Sequence, residues 1–204
     1  LLKREEDPYP IDGNERARQF LAGELDLTKG FESEADKRYG PASPLSVAQM
    51  KQYELGRKVF RRDAHCSTCH QANGKGVTSI YPPLEMTDNP WLKDDKDRLI
   101  KVVLKGLCGP MKLKGQTFYP SKGVPPMPGF ALLLSDEEVA AVIDYVRNSF
   151  GNESEFIQAD QVSRIRQSIE GRQDFYRIEE NMGEHPIQGW EAWSKRAGNY
   201  QSFE

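Results

Sequence analysis

Apolar positions fall at helical spacing in three stretches of the chain and lose that spacing between them. The first stretch opens at Ser46, a helix N-cap, and continues through Val47, Met50, Tyr53, Leu55, Val59 and Phe60. It predicts a helix that ends before residue 66. Gly56 and Phe60 lie four residues apart on one face, where a glycine lets a second helix come close and the ring becomes the adjacent knob. The second stretch reads Asn89-Pro90 as N-cap and first helical position, with Leu99, Val102, Val103 and Gly106 facing inward to about Leu107 and Gly109-Pro110 as the stop. In the third, Ser135-Asp136-Glu137-Glu138 is a capping box ahead of Val139, Val142, Ile143, Val146 and Phe150, and Gly151-Asn152 closes it. Met111–Leu113 and Gln116–Tyr119 read as a short hairpin, and Val162, Ile165 and Ile169 as one short helix. The pattern is all-α. A core spans 44–151, residues 1–43 form a polar arm with a short helix over Glu15–Leu25, and 152–204 form a partly helical acidic extension.

Between the first two helices stands Cys66-Ser67-Thr68-Cys69-His70. Two thiols two residues apart with an imidazole directly after them form the c-type haem attachment signature. Each cysteine adds across one haem vinyl group as a thioether, and the adjacent histidine is held where a neutral nitrogen ligates the iron. Two other chemistries use paired cysteines. A structural zinc needs four ligands, and the remaining Cys and His residues are His65, Cys108 and His185, with no second pair among them. A thioredoxin-like redox pair would follow a strand in a βαβ unit, and no strand precedes this one.

Composition supports a cofactor-centred core. Only 37% of the 204 residues are apolar, with a mean hydropathy of −0.71, which is low for a globule of this size built from side chains alone. A buried haem supplies the missing apolar surface. No run reaches the roughly 20 apolar residues needed to cross a bilayer. The start, Leu1-Leu2-Lys3-Arg4-Glu5-Glu6, is not a signal peptide, because charge arrives at once. Covalent haem attachment takes place outside the cytoplasm, so the expected location is the bacterial periplasm or the periplasmic face of the membrane. Any signal or anchor is expected upstream. The net charge of −3 divides into +4 over 44–151 and −3 and −4 over the flanks. A mildly basic centre suits an acidic protein partner better than nucleic acid, which calls for a denser basic stripe. Solvated helix faces account for most of these charges.

A haem that shuttles electrons uses a second strong axial ligand, and a methionine thioether raises its potential. Met50 lies on the first helix, Met86 is only sixteen residues beyond His70, and Met182 sits in the tail. Met111 and Met127 remain. Met127 stands in Pro125-Pro126-Met127-Pro128-Gly129, a segment stiffened by proline and anchored by the last helix, so holding its sulfur against iron costs little conformational entropy. Met127 is the favoured ligand and Met111 the reserve.

These residues together resemble class I cytochrome c: the Cys66–His70 run, a methionine in a proline-rich loop, and a final capped helix. Gly56 and Phe60 match that family's first-helix pattern, and Tyr145 the aromatic of its last helix. The resemblance implies that these two helices cross at Gly56, and that Pro82, in Pro82-Pro83-Leu84, offers its carbonyl to the outer nitrogen of His70. Tyr81-Pro82-Pro83-Leu84, Lys105-Gly106-Leu107 and Val124–Pro128 are similar, more narrowly, to the monohaem domains that work with bacterial periplasmic or membrane dehydrogenases. The likeness covers 44–151; the flanks match loosely.

It implies one covalent haem c on Cys66 and Cys69, with His70 and Met127 on the iron. The expected function is one-electron transfer between redox protein partners, a dehydrogenase as donor and an oxidase or another cytochrome as acceptor, within a larger assembly. A peroxidase-like haem enzyme with a labile sixth ligand is one alternative, and a tethering subunit whose aromatic tail is the functional part is another. Trp91, Tyr119 and Lys122 are candidates for the haem propionates, with core packing the plainer role for Trp91. Lys112, Lys114 and Lys122 are expected to ring the haem edge and steer an acidic partner. Cys108 reads as a small buried apolar residue, with a disulfide to a second chain as the alternative. His65 is expected to face solvent and His185 to stay off the iron. Phe175, Tyr176, Trp190 and Trp193 need burial on this core or on a partner.

Overall fold

A computed structural model describes residues 40–85, 89, 91–92, 95–113, 116–118 and 123–189, all within the unit Arg38–Glu204. The short helix expected over Glu15–Leu25 and the residues Met86, Pro90, Lys114, Tyr119, Lys122, Trp190 and Trp193 lie outside the described residues.

Helix α1, Val47–Lys58, begins at Ser46 as expected. The Ser46 hydroxyl accepts the Gln49 N–H at 3.3 Å and the Gln49 side chain accepts the Ser46 N–H at 3.0 Å, a reciprocal cap. It runs directly into a π-helical turn, Val59–Asp63, closed by the Ala64 N–H on the Val59 carbonyl at 2.9 Å. That wider turn re-aims the chain, and the short helix α2, Cys66–His70, follows.

Helix α3 is Lys96–Lys105, not a helix from residue 89. Asn89 already has other partners: its amide donates to the Pro83 carbonyl at 2.8 Å, and its side-chain and main-chain oxygens accept the N–H groups of Trp91 and Leu92, forming a turn. Asp95 is the actual cap and accepts the Arg98 N–H at 3.1 Å. The helix stops at Gly106 and becomes a strand, β1, Leu107–Cys108. The hairpin is present as β2, Met111–Leu113, antiparallel to β3, Gln116–Phe118.

Helix α4, Asp136–Arg147, opens with the Ser135 and Glu138 capping box. It ends at Asn148, short of the expected Phe150, because the Asn148 amide folds back onto the Asp144 carbonyl and its N–H onto that of Tyr145. Phe150 then adopts φ 60°, which turns its ring back onto the core.

Helices α1 and α4 cross where the sequence places Gly56. A Cβ there would fall on the carbonyl group of Ala141, so no larger residue fits without separating the helices. Four aromatic rings lock the crossing. Tyr145 lies 5.1 Å from Tyr53, 5.2 Å from Phe60 and 5.7 Å from Phe150 between centroids. Each such pair contributes about 0.5–1.5 kcal/mol beyond simple burial.

The chain after Gly151 folds onto the same core. Helix α5, Ala159–Ser168, strand β4, Tyr176–Arg177, and helix α6, Ile178–Glu184, follow in order. Ile157, Val162, Ile169 and Tyr176 are buried with Val59, Phe60 and Val139. Tyr176 therefore finds its burial on this core, whereas Phe175 remains 41% exposed. Strand β4 runs parallel to β1, pairing Leu107 with Tyr176 and Cys108 with Arg177. The α5 helix was legible in the apolar spacing; β4 is too short to leave a periodic signal. Asp144 stitches the extension to the crossing, accepting the Ile157 N–H at 2.9 Å and the Gln52 amide at 2.6 Å. Among the described residues, no helix is long and apolar enough to cross a membrane.

Candidate metal centre

The attachment run is set by one backbone feature at each end. His65 takes a left-handed φ of 52°, which histidine tolerates better than most residues, and its carbonyl accepts the Thr68 N–H at 2.9 Å. Beyond His70, the Gly76 N–H returns to the His70 carbonyl at 2.9 Å, and Val77 and Tyr81 exchange N–H bonds of 2.9 and 2.8 Å. Gly76 has φ 61°, and a Cβ there would strike the carbonyls of Tyr81 and Pro82. Its absence lets Tyr81-Pro82 lie close and brings the Pro82 oxygen 2.9 Å from His70 Nδ1. A carbonyl only accepts, so Nδ1 carries the proton and donates it, and Nε2 keeps its lone pair. Burial lowers the pKa of His70, opposed in part by the Pro82 carbonyl, so the ring is held neutral.

All three cysteines are free of disulfides, and among the described residues no three His, Cys, Asp or Glu side chains gather to hold an ion. Burial pushes the Cys66 thiol up to about 11, whereas zinc ligation and thiol exchange both use the thiolate.

The Met127 segment has no helix or hairpin of its own, and its backbone bonds go to the end of α3. Leu107 N–H donates to the Met127 carbonyl at 3.0 Å and Met127 N–H to the Leu107 carbonyl at 2.9 Å. Phe130 and Ala131 donate to the Val103 and Leu104 carbonyls at 2.9 and 3.0 Å, satisfying groups that a helix end leaves without partners. Prolines at 125, 126 and 128 have no N–H to lose, so this anchoring uses nearly every donor the segment has.

Between these two anchored pieces runs a cleft with two adjoining lobes of about 120 and 340 Å³. Cys66, His70, Pro82, Met111 and Met127 line both lobes. The wall of the first lobe is Phe60, Leu99, Val102, Val142 and Ile143, and among the described residues no carboxylate lines either lobe. Protein interiors are otherwise close-packed, so an apolar slot of this size with two thiols and a neutral imidazole at its edge fits a flat apolar cofactor such as haem.

Other candidates fall as follows. Met111 also reaches the cleft but is 92% buried among Trp91, Leu113, Phe118 and Ile178, where it packs. Trp91 belongs to that same cluster and also lines the first lobe. Lys112 is buried rather than part of an exposed basic ring, because β2 turns inward on all three of its residues. His65 faces solvent, and His185 bonds Asp95 at 2.7 Å, away from the cleft lining. Cys108 is half-buried in β1. Asn89 and Arg147 also line the first lobe, and sequence reasoning does not mark either for the site. Arg147 lies four residues beyond Ile143 on the apolar face of α4, and a charge on that stripe was the available signal.

Comparison with known proteins agrees with this geometry. The cytochrome c family model matches residues 53–150. Cytochrome c-552 of Thermus thermophilus is 32% identical over 118 residues, which cover 54% of this chain and 83% of that protein. The cytochrome c subunit of the quinone alcohol dehydrogenase of Gluconobacter oxydans is 33% identical over 120 residues, 56% of this chain but 22% of that subunit. The fructose dehydrogenase cytochrome subunit of Gluconobacter japonicus is 30% identical over 107 residues, 51% of this chain and 21% of that subunit. In the first case the likeness extends over most of the relative, domain against domain, with haem c bound covalently through Cys66 and Cys69. The chain belongs to the cytochrome c family.

Proposed function

We propose that this protein carries single electrons between redox partners through one haem c, with His70 and Met127 as the two iron ligands. The observation that carries this reading is the His70–Pro82 bond of 2.9 Å, which fixes the tautomer and leaves Nε2 as a donor at the cleft that Met127 also lines. The bound haem supplies the one-electron iron couple. The residues around it do the rest. Pro82 holds the imidazole in one orientation and makes it more basic. Met127 offers a soft, uncharged sulfur that favours the reduced state. Apolar walls from the π-helical turn, α3 and α4 surround the cleft, so neither charge state recruits a strong new partner. Met127 is preferred to Met111 because its side chain is only half-buried, whereas the Met111 thioether is already packed in a side cluster.

The carrier core is assigned to 44–151, with 1–43 as an arm and 152–204 as an extension whose first part packs on the core. Because relatives of this chain include cytochrome subunits of alcohol and fructose dehydrogenases, we assign it to a respiratory or dehydrogenase assembly outside the cytoplasm. A dehydrogenase would be the donor and an oxidase or second cytochrome the acceptor. Pro125, Pro126 and Pro128 are exposed beside Met127 and give a partner an apolar rim close to the cofactor.

A redox titration of the purified haem protein, paired with a peroxide assay, tests the reading. It predicts a reversible one-electron transition and no peroxide turnover. A high-spin resting spectrum with rapid peroxide consumption would replace it with the enzymatic alternative.

A further inference from the structure

The extension after α4 does more than cover the core, because its polar contacts converge on the Met127 segment from both ends. Upstream of Met127, β1 is a middle strand. One edge exchanges two hydrogen bonds with Met127, and the other pairs with β4, where the Tyr176 N–H donates to the Gly106 carbonyl at 3.2 Å. The Phe175 ring lies over Gly106, occupying the space a Cβ there would need. Downstream of Met127, Arg166 of α5 donates to the Ala131 carbonyl at 2.5 Å and the Leu134 carbonyl at 2.8 Å and pairs with Asp136 at 2.7 Å. Arg172 keeps β4 in place. Its guanidinium sits 3.8 Å from the Tyr176 ring centroid and donates to the Phe175 carbonyl at 2.8 Å and to both Glu180 oxygens at 2.6 Å.

Burial explains why Val162, Ile169 and Tyr176 pack on the core, but not these polar attachments. The Arg166 contacts end on carbonyls of the turn that follows Met127, and β4 contacts the strand that precedes and pairs with it. A proline-rich strip without helix or sheet of its own has few ways to resist being pulled off a ligand. Clamping its two ends to α5 and β4 supplies that resistance.

We propose that Arg166 and Arg172 are positioning residues that clamp the Met127 segment and thereby set how firmly its sulfur holds the iron. The inference rests on the assignment of Met127 as ligand. Only part of each arginine's contacts bears on the Met127 segment, so losing one clamp raises the fraction of molecules with an open sixth position by about 3- to 10-fold, the factor that one net hydrogen bond represents.

The test uses the full-length haem protein with Arg166→Ala, Arg172→Ala and the double variant. Arg164→Ala is the control, since Arg164 pairs with Asp160 inside the same helix and is 68% exposed. The readouts are the rate of carbon monoxide binding to the ferrous protein, which follows the open fraction, and a thermal melt. Each single variant is expected to bind carbon monoxide about 3- to 10-fold faster than wild type, the double variant faster still, and Arg164→Ala at the wild-type rate. Both arginines are partly exposed, so folded variants are expected, as a cooperative melt will show. Folded Arg166→Ala and Arg172→Ala proteins that bind carbon monoxide no faster than wild type would overturn the clamp. The near-infrared sulfur-to-iron band is read separately in Met127→Ala. Its survival there would overturn the ligand assignment itself and leave the carbon monoxide result without that meaning.

Discussion

The two sides of the cleft are built by different means. On the histidine side, the thiols, the imidazole and the Pro82 carbonyl all lie between residues 66 and 82, and a turn of short-range hydrogen bonds assembles them behind two regular, tightly crossed helices. On the methionine side, the proposed ligand Met127 lies in a strip whose partners are at Val103–Leu107, and whose ends are gripped by Arg166 and, through β1, by Tyr176. His70 is placed by local contacts and Met127 by contacts spread along the chain. Damage to the histidine side should therefore cost the fold, whereas damage to the methionine side should cost the ligand and spare the fold.

The largest effect is expected from replacing both thiols. Cys66→Ala with Cys69→Ala should yield a chain without haem mass after acid–acetone extraction, and its melt should lose cooperativity because the apolar cleft has nothing to close on. Haem that survives the extraction would contradict the attachment. Next comes the helix crossing. Gly56→Val drives a side chain into the Ala141 carbonyl and should destabilise by about 1–3 kcal/mol. That corresponds to roughly 2–4 °C per kcal/mol in a chain of this length. An unchanged melting temperature would mean that the helices do not meet there. Met127→Ala should do the reverse, lowering the reduction potential while leaving a cooperative melt. If it unfolds the protein, the contrast between the two sides fails.

The smallest effect concerns Asp144. Burial raises its pKa to about 7, against the N–H of Ile157, the Arg147 charge and the Gln52 amide, which favour the ionised form. In the unfolded chain the carboxyl titrates near 3.8. Between those values the folded state holds a proton that the unfolded state has released, so this group's contribution to stability falls as pH rises from about 4 to 7. Asp144→Asn removes that slope, so its stability relative to wild type should rise steadily as pH goes from about 4 to 7. Parallel stability profiles for the two proteins would show that Asp144 is ionised throughout.

The contrast also explains what the sequence disclosed. Ser46, Gly56, the Ser135–Glu138 box and Cys66–His70 are local signals, each needing only a few neighbouring residues, and the structure has each where the pattern put it. The start of α3 was misplaced because Asn89 has a capping residue's chemistry but gives its oxygen and amide to a turn. Strand β4 and the Arg166 contacts were invisible, since a two-residue strand has no period and an arginine at a helix position reads as solvated surface. Lys112 was read as surface for the same reason and is buried instead. The methionine strip was legible in composition, but not the backbone that holds it.

X-ray absorption at the iron edge, on the oxidised full-length protein and on Met127→Ala, tests the central claim most directly. The account predicts one sulfur scatterer beside nitrogen ligands in the wild type, and no sulfur in the variant. A wild-type iron without sulfur, or a sulfur that persists when Met127 is gone, would contradict it.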